Sequence, residues 1–136
     1  MKKNILVFTF LFSNAVFGWQ ITFVCTQQGK KGASIQDLVI KSSDEKPMDS
    51  VDPVAVTATL SKLVIGKKNY KNVTLKGERS HSLNGYYFNL NADSSEKSIK
   101  SVLISATSSD QDAGADTVTM QNDHAYLMNC SETSKL

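Results

Sequence analysis

From Val54 to Ser61 the chain alternates: Val54, Val56, Ala58 and Leu60 are apolar, while Ala55, Thr57, Thr59 and Ser61 between them are small or polar. A period of two places the first set on one face of an extended strand and the second on the other, so the segment predicts a strand with one dry and one wet face. A strand of this kind cannot stand alone, because its apolar face needs a core and its main chain needs partners. The alternation breaks at Lys62, and Leu63 and Ile65 continue on the other phase. That break predicts a bulge, or a strand passing from one sheet to another.

The remaining sequence supplies the partners. Short runs rich in Val, Ile, Thr and Tyr are separated by Gly, Asn, Asp and Ser, and no long 3.6-residue pattern appears. A first strand is expected over Trp19–Gln27, with Ile21, Phe23 and Cys25 on one face. Ser34–Lys41 fits a short helical face through Ile35, Leu38 and Val39, but its brevity and β-branched residues favour a strand. Ser42–Pro53 is polar and reads as the longest loop. Gly66–Asn69 turns the chain into a strand carrying Val73 and Leu75, with a bulge expected at Gly77. Asn84-Gly85 is a hairpin signal that would pair Leu83 with Tyr86, leaving Tyr86, Phe88 and Leu90 on one face. Ser98–Ala106 and Thr117–Gln121 are further strands. In the last hairpin, a three-residue loop ending at His124 groups Val118, Met120, Tyr126, Met128 and Cys130; a two-residue turn would bury smaller side chains and point Cys130 away. The expected fold is all-β, a single domain of about eight antiparallel strands as a small barrel or sandwich, closed by a terminal disulfide.

The N-terminus reads Met1-Lys2-Lys3, an apolar run Ile5–Phe12, then Ser13-Asn14-Ala15-Val16-Phe17-Gly18. This is the order of a secretory signal, with cleavage expected after Gly18, and the apolar run is far short of the ~20 residues of a membrane span. The domains are therefore a signal over 1–18 and one β domain over 19–136, delivered to the periplasm or the medium. Two cysteines in an exported chain, Cys25 and Cys130, read as one bridge between the first and last strands. Loss of Lys2 and Lys3 leaves 13 basic against 13 acidic residues. No net positive charge remains to favour nucleic acid.

The chemistry-bearing residues are few. Two histidines, no cysteine outside the pair and no Gly-x-Ser-x-Gly pattern argue against an enzyme and imply no cofactor. Asp110, Asp112 and Asp116 have the alternate spacing of a calcium loop. Gly114 and Gln121 stand where further ligands belong, which favours a plain acidic loop. Lys62, Lys67, Lys68, Lys71, Lys76 and Arg79 are six of the mature chain's thirteen cations, with Glu78 the one acid among them. They read either as a basic stripe for an anionic partner or as lysines guarding an exposed sheet edge. The first functional expectation is a non-enzymatic binding or structural protein whose partner is a protein or polymer of the bacterial envelope or medium. The alternatives are an inhibitor of a hydrolase, using the loop Ser80–Gly85, and a pocket for a small lipid-like ligand.

Overall fold

Half-buried alternation recurs from strand to strand among the described residues, and each strand pairs with the next. The computed structural model describes residues 18–29, 32–47, 50–82, 85–105 and 116–133. The strands are β1 (Gln20–Gln27), β2 (Ala33–Ser42), β3 (Val54–Ile65), β4 (Lys68–Ser82), β5 (Gly85–Ala92), β6 (Ile99–Ser105), β7 (Thr117–Met120) and β8 (Ala125–Glu132). They run antiparallel in sequence order, and β8 returns to pair with β1, so eight strands close a barrel. Closure gives every strand two neighbours over at least part of its length, which is what separates this barrel from a sandwich. Among the described residues no helix is long and apolar enough to cross a membrane. The expected signal segment lies, up to Phe17, outside the described residues.

The interior is filled rather than hollow. Leu38, Ile40, Leu60, Leu75, Phe88, Leu90, Val102 and Val118 are all buried, each from the inward phase of its strand. Phe88 stands at the centre of an aromatic group, with Tyr86 5.7 Å, Phe23 5.9 Å and Trp19 6.3 Å from its ring centroid. Cys25 and Cys130 sit directly opposite each other in the β1–β8 ladder, 4.0 Å apart at Cα, and are disulfide-bonded. The bridge therefore locks the seam at which the barrel closes.

The phase break at Lys62 has a cause that β3 alone could not reveal. Inward positions are three apart, instead of two, in three neighbouring strands: Ile35 and Leu38, Leu60 and Leu63, Tyr70 and Val73. These residues remain paired row by row, Ile35 with Leu63 and Leu63 with Tyr70 below, Leu38 with Leu60 and Leu60 with Val73 above. The feature is a bend shared across β2, β3 and β4, with Asn72 held at φ 56° on its outer side. Its one true bulge is where β1, with Phe23 and Cys25 only two apart, meets Leu38 and Ile35, and the register shifts.

Three local expectations change. Gly77 makes no bulge: β4 runs through it in unbroken register with both neighbours. It is glycine because β5 passes so close that a Cβ there would lie 1.8 Å from the Asn89 carbonyl oxygen. In the β4–β5 hairpin, Ser82 pairs with Gly85 and His81 with Tyr86, so the pairing of Leu83 with Tyr86 is not made; Leu83 and Asn84 themselves lie outside the described residues. In the last hairpin Val118 pairs with Tyr126 and Thr119 with Ala125. The loop still has three residues but comprises Gln121–Asp123, with Asp123 left-handed at φ 67°. The facing set of Val118, Met120, Tyr126 and Met128 is the expected one, because a shift of the turn by one residue on both strands preserves which side chains share a face.

Candidate functional site: a lysine-rimmed cleft

An up-and-down barrel sorts its connections into two ends. At one end lie Trp19, the β2–β3 loop and the tips of β4 and β8. That loop is tied down: Asp44 accepts from the backbone of Lys46 (2.8 Å) and Ala55 (3.0 Å), and the Trp19 indole donates to the Lys46 carbonyl (3.2 Å). The two backbone donors hold the Asp44 carboxyl below the usual range.

Arg79 belongs to this closed end and not to an exposed stripe. It falls on the inward phase of β4 with Val73 and Leu75, while Lys76 and Glu78 face out, and it is fully buried. Its Nη2 donates to the carbonyls of Ser50 (2.7 Å) and Asp52 (3.4 Å), and its Cζ lies 5.5 Å from the centre of the Tyr86 ring. Nε and Nη1 have no hydrogen-bond partner among the described residues. Burial raises the Tyr86 hydroxyl above its ordinary range, with Glu132 adding to the rise and Arg79 opposing it.

Asp116 also has a role inside the fold. Where β7 begins, its Oδ1 accepts from Ser105 N of β6 (2.7 Å), its Oδ2 from Cys130 N of β8 (3.1 Å), and its carbonyl from Met128 N (2.8 Å). The side chain thus spans the two strands that β7 would otherwise join. Both carboxylate oxygens are committed to backbone donors, and burial still raises the carboxyl above its ordinary range. Asp110 and Asp112 lie outside the described residues, and no cluster of three or more metal-binding side chains occurs among those described.

The opposite end, where the β3–β4, β5–β6 and β7–β8 connections meet, holds a cleft of about 920 Å³. Its floor is apolar, made by Ile65, Val73 and Met120, with the half-buried rings of Tyr70 and Tyr126 beside it. Lys67, Lys68 and Lys71 of the expected stripe border it, joined by Lys97 from the β5–β6 loop; all four are exposed and none is ion-paired among the described residues. One acid shares the rim, Glu96, whose Oε2 accepts from the Ser98 hydroxyl and backbone and whose carboxyl is held below the usual range by those bonds. Nearby Asp123 is paired with Lys100 at 2.7 Å. A second groove of about 750 Å³ at this end, by Gln27, Gly32 and Val64, has no ionisable lining residue among the described residues.

No family model, curated protein or solved structure matches this chain.

With Arg79 buried at the far end, the five lysines of the stripe divide three ways. Lys67, Lys68 and Lys71 reach the cleft, Lys62 stands opposite Lys71 in the β3–β4 ladder, and Lys76 is exposed on the barrel wall opposite Thr57, away from the cleft. Two like charges facing each other across a ladder are mildly destabilising, so the Lys62–Lys71 pair concentrates positive charge at some cost to the fold. Tyr70 lies within the Lys62–Arg79 segment itself, whereas Lys97 and Tyr126 come from segments distant in sequence. Their signal was the strand order, which brings every second loop to one end. His81 and His124 are exposed at opposite ends; the His124 ring lies 4.6 Å from that of Tyr126.

Proposed function

We propose that the protein is an exported, non-enzymatic binding protein of the bacterial envelope or medium that holds an anionic partner at the lysine-rimmed cleft. The observation that carries this reading is the convergence of four exposed cations from two distant segments, Lys67, Lys68 and Lys71 with Lys97, around one apolar floor. Clustered like charge raises the local concentration of an anion and steers its approach, while an apolar floor lets the captured group exclude water. The cleft is in the range of about 300–1,000 Å³ common for ligand sites. A disulfide at the barrel seam is consistent with an oxidising compartment outside the cytoplasm.

The test is binding to fluorescent dextran sulfate, followed by anisotropy from low to moderate salt. Affinity should fall about tenfold or more between ~50 and ~200 mM salt as the rim charges are screened. Lys68→Glu combined with Lys97→Glu should abolish it, whereas Lys76→Glu should leave it unchanged. Equal loss from Lys76→Glu would mean that net charge, and not this cleft, is responsible. Salt-independent binding would sink the reading outright.

A further inference from the structure

The cleft has a wall whose main chain is not used. β4 spans Lys68–Ser82, but β5 covers only its second half, with pairing from Leu75 opposite Ala92 to Ser82 opposite Gly85. Lys68–Thr74 have β3 on one side and, on the other, no strand among the described residues. In an antiparallel sheet each strand aims alternate N–H and C=O groups at each neighbour. A row of such groups on Lys68–Lys71 is therefore left to the cleft, and among the described residues no backbone bond outside the β3 ladder takes them up.

An unpaired edge is normally a hazard, and lysine is a usual guard against it. Two features make this edge different from a merely guarded one. It faces a bounded cleft with an apolar floor of Ile65, Val73 and Met120, rather than open solvent. Positive charge also comes from across the gap, from Lys97, which guards no part of β4. Pairing with a second copy of the same edge is disfavoured, since Lys68 and Lys71 would meet their own kind. The edge and the charge together select an extended, acidic occupant.

We propose that a short extended segment of an acidic partner protein adds to the barrel as a strand along Lys68–Lys71, its main chain bonded to β4 and its carboxylates placed among Lys67, Lys68, Lys71 and Lys97. Strand addition of this kind takes affinity from main-chain bonds and selectivity from alternate side chains. The left-handed Asn72 at φ 56° turns the edge and limits the added segment to about four paired residues. Alternate residues of that segment reach the apolar floor, so the preferred sequence alternates acidic with apolar residues. The proposal rests on the cleft being an anion site and adds the class of partner and its mode of attachment.

The experiment uses the oxidised, 15N-labelled chain from Trp19 onward, which contains every strand of the barrel. It is titrated with an end-blocked seven-residue peptide of alternating Glu and Val, and with two analogues N-methylated at all Glu or at all Val. Strand addition requires that the parent peptide shift the Lys68–Lys71 amides and slow hydrogen exchange about tenfold or more at the alternate amides that face the cleft. It also requires that one N-methylated analogue bind and the other fail, because only one set of N–H groups faces β4. Equal binding of both analogues overturns strand addition and leaves a purely electrostatic cleft. Binding of dextran sulfate without any peptide binding also overturns it, in favour of an acidic polymer. If neither peptide nor dextran sulfate binds, the cleft reading falls with it.

Discussion

Asp116→Ala isolates one carboxylate that stands in for missing sheet. The substitution removes two acceptors and leaves the half-buried Ser105 N and Cys130 N without these partners, bonds of 2.7 and 3.1 Å in the intact protein. Each orphaned donor costs about 1–3 kcal/mol, so the gross loss is about 2–6 kcal/mol. Against this, the variant no longer buries a charge, and the raised carboxyl shows that burial outweighs what the two bonds return to the ionised form. A net loss of about 2–4 kcal/mol at neutral pH follows, a large share of the roughly 5–15 kcal/mol that holds a domain together. The pH dependence has a definite sign. A carboxyl whose folded pKa lies above its unfolded value of 3.8 binds its proton more readily when folded. Its stabilising contribution is thus full below that value and is lost as pH rises through the folded pKa. The gap between wild type and variant should therefore be wider near pH 4 than near pH ~7. Urea unfolding of both oxidised proteins, monitored by Trp19 fluorescence at several pH values, measures the gap directly. The other acids are common to both proteins and cancel. A loss under about 1 kcal/mol at neutral pH, or a gap that grows as pH rises, would refute the assignment of Asp116 as a bridge between β6 and β8.

Reduction of the Cys25–Cys130 bridge, 105 residues apart in sequence, should lower stability by about 4–5 kcal/mol on the loop-entropy model, read as a drop in urea midpoint with added reductant. An unchanged midpoint would mean that the seam holds without it. Gly77→Ala forces a Cβ to within 1.8 Å of the Asn89 carbonyl, and backbone cannot yield as a side chain can, so a loss above about 3 kcal/mol or failure to accumulate folded protein is expected. Gly32→Ala, whose Cβ would meet only the flexible Gln27 side chain at 2.8 Å, is the mild control; similar thermal midpoints for the two variants would contradict the close β4–β5 approach. Arg79→Met keeps the stem packed while removing a buried charge with two unpartnered nitrogens, so its stability should stay within about 1 kcal/mol of wild type or exceed it. A loss of several kcal/mol in denaturant unfolding would show that the bonds to Ser50 and Asp52 outweigh the cost of burying the charge.

Strand identity was legible because period-two patterning is local: Val54–Leu60, Tyr86–Leu90 and the Val118–Met128 hairpin each declare a buried face without reference to the rest of the chain. Cys25 lay on such a face, so a bridge to the last strand could be anticipated from spacing and compartment alone. The same rule, carried from Val73 through Leu75, would have placed Arg79 inside the barrel; counting it with the lysines followed charge and ignored phase. Tertiary structure decided what depends on neighbours. Whether eight strands close or split is a matter of how they twist and stagger, and only the β1–β8 ladder shows closure. The bend at Leu60–Leu63 is a property of three strands in register, and in one strand's sequence it looks like an error of alternation. Gly77 is required by a strand met only in the fold. The cleft exists because β5 stops short of the first half of β4 and the barrel brings Lys97 to the side where Lys67, Lys68 and Lys71 already stand, a juxtaposition set by strand length and closure rather than by any local run of residues.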